Sequence, residues 1–499
     1  LPEGGEKLLR KGRFEKEMDK RIAKYTSSLE EDIRIFRQVV KINIAHVLML
    51  LKMKIISAKE ASKILSALLE LFEISPSKLR LRPEFEDIHM VVEDFVIKKV
   101  GDIGGKIHIA KSRNDQVVAA LRLQIKEEIL DIARKLLDLI QVFNQKADET
   151  AEIVMPGYTH LQVGEPTTFG HYLLSYVQMF WRDLERFLQA YDRVNSSPMG
   201  SCSFAGTSFN IDRKIVAELL GFERIDKNTM DAVSSRDWLL ESMTASAILM
   251  TNLSRLSEDM IIWSSLEFGF VDFPEEFSST SSIMPQKKNP IVFEVVRAKA
   301  AETIGLLSGA MSLVKGLPQS YNLDLQELTP LLWRSFDETK HAIEVVSLAV
   351  REIRVNEERM KHSMEKGFAT IVELANELVR SYGLSFRQAH AVAGRVVLNA
   401  IKDGKTIEKI NVSDVARASS EILGRKIEIS ESVLKKILDP TSAIKSRNIE
   451  GGPSPNRIKE EVLRLQKEID ALTRKLTSEK EKLEVVEKKL IKMAKEVCR

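Results

Sequence analysis

Residues 113–148 read RNDQVVAALRLQIKEEILDIARKLLDLIQVFNQKAD, with apolar side chains at Val117, Leu121, Ile125, Ile129, Ile132, Leu136, Leu139 and Val142 and no glycine or proline between them. A repeat of three to four positions sustained over that length predicts one long α-helix. The same reading predicts long helices over about 168–195, 236–265, 291–313 and 331–354, each apolar on more than one side. Such helices need several neighbours, so a bundle is expected, and its remaining apolar surface implies association with further copies of the chain. Strands are scarce. Short extended pieces are expected near Ile107 and around 198–206, and no alternation of strands and helices suggests a parallel sheet. The fold class is therefore all-α.

Two breaks divide the chain. Glycines at 101, 104 and 105 precede the long helices, and residues 355–363 lead out of them into shorter helices that stop at Gly-Gly-Pro-Ser-Pro, 451–455. The expected units are an N-terminal helical domain (1–112), a central long-helix bundle (113–354), a small helical domain (355–455) and an extension (456–499). In the extension, Ile458, Val462, Leu465, Ile469, Leu472, Leu476, Leu483, Val486, Leu490, Met493 and Val497 follow a four-three alternation broken at Glu479. That is a coiled-coil pattern. It fits a helix packed on its own subunit, a hairpin hinged near Thr477 and Ser478, or a zipper to a separate coiled-coil partner.

Composition narrows the function. Lys and Arg number 75 against 72 Asp and Glu, a net charge of +3 on 499 residues, which argues against a nucleic-acid partner. The apolar runs are all broken by charges short of a membrane span, and charge begins at Glu3, so neither membrane insertion nor a signal peptide is expected. Cys202 and Cys498 are far apart, which favours a reducing compartment, the cytoplasm, over a disulfide framework or a zinc site.

The chemistry concentrates in residues 278–290, Ser-Ser-Thr-Ser-Ser-Ile-Met-Pro-Gln-Lys-Lys-Asn-Pro. Poor in helix formers and holding prolines, this segment is expected to be an irregular loop able to open and shut. Ser281 and Ser282 stand shortly before an ammonium, Lys287, and an amide, Asn289. A serine is a feeble base in water, but a nearby cation and backbone N–H dipoles stabilise its alkoxide and the charge developing on a substrate carboxylate. The grouping suits abstraction of a carbon-bound proton. A Ser…Lys spacing alone reads as an ordinary surface loop; the whole string does not.

That string resembles the signature loop of the fumarase/aspartase superfamily, and its Gln-Lys-Lys-Asn form resembles the argininosuccinate lyase family. Other segments agree, in the family's order from about Gly12 to Pro455: Glu-Asp-Ile-His at 86–89, His-Ile-Ala-Lys-Ser-Arg-Asn-Asp-Gln at 108–116, Met-Pro-Gly-Tyr-Thr-His-Leu-Gln at 155–162, Tyr-Asn-Leu-Asp-Leu-Gln-Glu at 321–327, Phe-Arg-Gln-Ala-His at 386–390 and the Gly-Gly-Pro-Ser-Pro stop. The resemblance implies a three-domain subunit with a central long-helix bundle, a homotetramer whose active sites are shared between subunits, and elimination of argininosuccinate to arginine and fumarate with no metal and no organic cofactor.

Carried over by position, Ser281 is the base, with Ser282 as fallback, and Lys287 and Asn289 stabilise the carbanion. His160, paired with Glu294, delivers a proton to the leaving nitrogen, directly or through water. Thr159 and Gln162 bind a carboxylate. His89, Ser112, Arg113 and Asn114 supply further donors at the fumarate end, while Ser28, Asp32, Tyr321 and Gln326 recognise the arginine end. Without the resemblance, His160 reads as a core or capping residue, Lys287 as a surface lysine and Asp32 as a solvated carboxylate. The chain departs from the family at Thr280 (usually Gly), Leu323 (often basic), Thr329 (often Lys), Ile109 (Thr) and Lys111 (Arg), which bears on loop closure and substrate identity. Another fumarate-releasing lyase of the adenylosuccinate type and a crystallin-like helical scaffold are the rival readings.

Overall fold

The computed structural model describes residues 16, 18–79, 81 and 85–499. Glu3 and Gly12, where the charged start and the resemblance begin, lie outside the described residues. Five long helices form the centre: α1 (Arg113–Glu149), α2 (Phe169–Val194), α3 (Asp237–Ser264), α4 (Ile291–Val314) and α5 (Leu328–Arg351). They alternate in direction. Late α1 meets early α2 at Phe143 and Phe180, ring centroids 5.3 Å apart, and Lys126 of α1 reaches Asn195 just past the end of α2. Asn252 of α3 bonds Asp183 of α2, and Arg122 of α1 lies over Trp238 at the start of α3. Lys299 and Glu302 of α4 pair with Glu338 and Arg334 of α5, whose Lys340 reaches Glu128 of α1. Helices 1, 3 and 5 thus run one way, 2 and 4 the other.

This alternation sorts the connections. The links after α1 and α3 lie at one end of the bundle; those before α1 and α3, and between α4 and α5, lie at the other. At 37 residues and 1.5 Å per residue, α1 separates the two ends by about 55 Å.

Most of the expected helices are present within a few residues of their expected ends. The extended piece expected near Ile107 is instead a 3-10 helix, Gly101–His108. Its glycine spacing serves packing: a Cβ on Gly104 would come within 2.8 Å of the Ile97 backbone in the preceding helix. The second extended piece is shifted to Ser196–Ser197, parallel to Arg224–Ile225. A ribbon not foreseen in the sequence, β1 (Val154–Thr159) and β2 (Gln162–Thr168), joins α1 to α2. Pro156 and Pro166, which read as strand breakers, face each other across it, tolerated because both strands of a two-stranded ribbon are edges.

The helix over the extension, α6 (Pro455–Val497), is continuous through Thr477 and Ser478, so no hairpin forms. It packs on its own subunit. Asn144 donates to the Val462 carbonyl, Gln141 pairs with Gln466, Glu487 meets Arg37 and Lys41, and Cys498 touches the Ser62 carbonyl. Its apolar seam joins the core shared by the bundle and the N-terminal helices. Residues 374–438 surround a separate core.

Candidate active site in two halves

The first half gathers where α1 begins. Ser112 caps α1, its hydroxyl accepting from the Asn114 N–H (3.4 Å), while Asp115 accepts from the Ser112 N–H (3.0 Å). Arg113 and Asn114 therefore sit in the first turn, where backbone N–H groups face outward and favour anions. The Arg113 guanidinium pairs with Asp87 and lies 3.7 Å from Glu93. Burial would raise the Asp87 pKa, but the Arg113 charge, His89 and the Met90 N–H together hold it below the usual carboxylate range. Asn114 donates to the Ser203 carbonyl at 3.0 Å.

Asp32 is buried alongside. Its Oδ2 accepts from the Ser28 hydroxyl at 2.7 Å and the Ile88 N–H at 3.4 Å. Burial, opposed by the Ser28 bond and augmented by the charge on Asp87, pushes its pKa up to about 7. Folded protein then keeps a proton that the unfolded chain gives up, so this group lowers stability as pH rises from about 4 to 7. His89 is 2% exposed and neither ring nitrogen has a partner among the described residues. Burial brings its pKa down to about 3 despite Asp87, so the ring is neutral. Two unbonded ring nitrogens in a buried place suit a ligand group. Tyr321 senses the charges of Arg236, Asp87, Asp32 and Arg113, and Gln326 donates to the Thr26 carbonyl at 3.0 Å.

The second half lies at the far end of the bundle. Pairing of Thr159 with Gln162 leaves His160 and Leu161 as a two-residue turn, both left-handed at φ 56° and 57°. Such a turn matches the twist of a hairpin but costs non-glycine residues on the order of 1 kcal/mol each. Thr159, His160, Leu161 and Gln162 are all exposed. Gly157 is required by close approach, since a Cβ there would lie 2.8 Å from the Glu165 carbonyl oxygen.

The serine loop is also a hairpin tip. β3 (Ser279–Thr280) pairs with β4 (Lys288–Asn289), so Thr280 sits in extended backbone, where a β-branched residue is at home and glycine is not needed. Between them, the Ser281 hydroxyl oxygen accepts from the Ile283 and Met284 N–H groups at 3.3 and 3.1 Å. Among the described residues no such donors reach Ser282. Lys288 is engaged by Asp272, Asn289 lies 3.5 Å from the Ser279 hydroxyl, and the Lys287 ammonium has no protein partner among the described residues. Glu294 is exposed in the first turn of α4, with no ion pair to His160 within the chain.

Ser28, Asp32, His89, Ser112, Arg113, Asn114, Tyr321 and Gln326 therefore stand at one end, and Thr159, His160, Gln162, Ser281, Lys287, Asn289 and Glu294 at the other. Of the departures, Thr329 is buried at the start of α5 and Leu323 is exposed. Sequence reasoning missed Asp87, Glu93, Asp115 and Arg236. Asp87 and Asp115 lie inside two of the motifs quoted above; Arg236 and Glu93 become evident only from burial and pairing.

Comparison with known proteins places this geometry in a family. Residues 12–305 match the family described as Lyase, and 368–445 the one described as Argininosuccinate lyase C-terminal. The chain is 40% identical to the argininosuccinate lyase of Methanococcus vannielii, covering 97% of this chain and 99% of the relative. It is 41% identical to that of Methanocaldococcus jannaschii (95% and 98%) and 44% identical to that of Methanothermobacter thermautotrophicus (90% and 96%). Its fold overlays an EDDS lyase crystallised with formate at TM-score 0.87, with 27% identity and 97% of each chain covered. A class II fumarase from Schistosoma mansoni, 17% identical, shares the fold at TM-score 0.70 over 83% of this chain and 91% of that one. With its long-helix bundle and this likeness along nearly its whole length, the chain belongs to the argininosuccinate lyase family of the fumarase/aspartase superfamily.

Proposed function

We propose that the protein is an argininosuccinate lyase, catalysing the reversible anti elimination of argininosuccinate to L-arginine and fumarate. Ser281, as its alkoxide, takes the proton from the carbon next to a succinyl carboxylate. The electron pair left on carbon is held in the carboxylate by Lys287 and Asn289, then forms the double bond as the C–N bond breaks. His160, supported by Glu294, protonates the departing guanidino nitrogen. Preorganised donors around the reacting carboxylate supply most of the acceleration. The two free cysteines suit the cytoplasm.

The observation that carries this reading is the Ser281 hydroxyl, held as an acceptor by two backbone N–H groups in the same hairpin tip as Lys287, whose ammonium has no protein partner among the described residues. Purified protein is expected to release fumarate from argininosuccinate and none from adenylosuccinate. Release from adenylosuccinate alone would point to the other lyase, and from neither to the scaffold reading.

With the half-sites about 55 Å apart in one chain, a complete site needs several copies, and a homotetramer is the arrangement proposed. α4 supports it by leaving the apolar side chains of Ile291, Val295, Ile304 and Met311 exposed. Arg113→Ala and Ser281→Ala chains, altered at opposite ends of the bundle, should each be inactive. Unfolded together in equal amounts and reassembled, they should regain about a quarter of normal turnover, because a site then draws an intact first half and an intact second half from different copies. Mixed assemblies without any regain would contradict shared sites.

Asp32 adds a pH signature. A guanidinium bound beside it favours the carboxylate, so binding of arginine should release close to one proton below pH 7, and affinity should rise with pH to about 7 and then level off. Calorimetry in buffers of different ionisation heat reads the proton directly; no release at pH 6 would remove Asp32 from the arginine end.

A further inference from the structure

A two-stranded ribbon is marginal in water by itself, and this one also carries two left-handed non-glycine residues at its tip. Something outside it must hold it. Val163 packs so tightly against Gly367 that a Cβ there would be 2.5 Å from the valine methyl, and the Tyr158 hydroxyl lies 3.1 Å from that of Ser363. A guanidinium makes the ribbon's charged attachment. Arg447 Nη1 donates to Glu165 of β2 at 2.8 Å, while Nη2 and Nε donate to Glu373 at 2.9 and 3.2 Å.

Glu373 lies in the helix Ile371–Tyr382, at the edge of the second core, and its side chain is only 7% exposed. Arg447 is the ion-pair partner of Glu165 among the described residues. A planar fork with donors on two edges can bridge two carboxylates in fixed geometry, which a lysine cannot match. We infer that Arg447 is a positioning residue for the elimination: by bridging Glu165 and Glu373 it locks the His160 ribbon onto the small helical domain, so that the histidine meets the site at a fixed distance.

The inference rests on the lyase reading for its kinetic consequence, but the lock itself is readable without turnover. Arg447→Ala should lower kcat about 100-fold, the cost of a misplaced proton donor. The solvent deuterium isotope effect on kcat should grow as proton delivery becomes limiting. Hydrogen exchange over residues 154–168 should speed up about tenfold while α1 and α3 keep their protection. Arg447→Lys should recover part of both effects, and Glu165→Gln, which leaves the Glu373 arm intact, should show the smaller loss. Wild-type kcat in Arg447→Ala overturns the inference, as does loss of kcat with ribbon exchange unchanged, or with exchange raised equally throughout the chain. If the wild-type protein releases no fumarate, the lyase reading fails on its own, and ribbon exchange still decides whether the lock exists.

Discussion

Replacing Ser281 by alanine should lower kcat by about 10²–10⁴-fold, the span expected when a positioned acid–base group is lost, while helical content, assembly and melting temperature stay as they are. The fold has no stake in this hydroxyl, which lies in an exposed seven-residue tip closed by two short strands. Chemistry does. The Ile283 and Met284 N–H groups point at its oxygen, and such donors stabilise an alkoxide far more than a neutral hydroxyl. Alanine leaves those dipoles and Lys287 in place with no base between them. Ser282→Ala, lacking the backbone donors, should cost less than tenfold in the same assay. Equal losses in the two variants, or normal turnover in the first, would take Ser281 out of the role of base.

Removing residues 456–499 should prevent folding. The sequence pattern alone leaves room for a dispensable arm, but Ile458, Val462, Leu465, Ile469, Leu476, Leu490 and Ala494 are all buried against the chain's own core. At 1.5–3 kcal/mol for each large side chain, their loss and the apolar surface uncovered beneath them amount to about 10 kcal/mol or more, comparable to the whole stability of a typical domain. The deletion also strips the partner carbonyl from buried Asn144 and one of two carboxylates, that of Glu487, from Lys41. The truncated chain should accumulate as insoluble protein; a soluble, helical, cooperatively melting product would show that α6 is an appendage.

Periodicity made the long helices legible because packing in a bundle repeats every three or four residues and little else competes. It could not assign a partner to α6, since a heptad seam looks the same whether it meets its own subunit or another chain. The β1–β2 ribbon was hidden by Pro156, Gly157, Gly164 and Pro166, residues that break central strands yet are tolerated in an isolated ribbon. Within the site, motif resemblance nominated side chains that would touch substrate, whereas Arg447 and Asp115 hold other parts of the protein in place. Asp115 ties the first turn of α1 to the backbone of Gly200 and Cys202. Arg447 lies in none of the quoted motifs, and Asp115 lies in one without a role assigned to it; burial and bonding disclose what both do.

The up-and-down course of the bundle, which puts the proposed catalytic groups at one end and most of the proposed substrate-binding groups at the other, carries a rule for how copies meet. In the shared-site assembly proposed above, a site closes against a neighbour lying head to tail, so the axes relating copies cross the helices rather than follow them. Every chain is then donor to one neighbour and recipient from another, and catalysis becomes a collective property: diluting the protein until copies separate should extinguish it, although each solitary chain keeps all of its side chains.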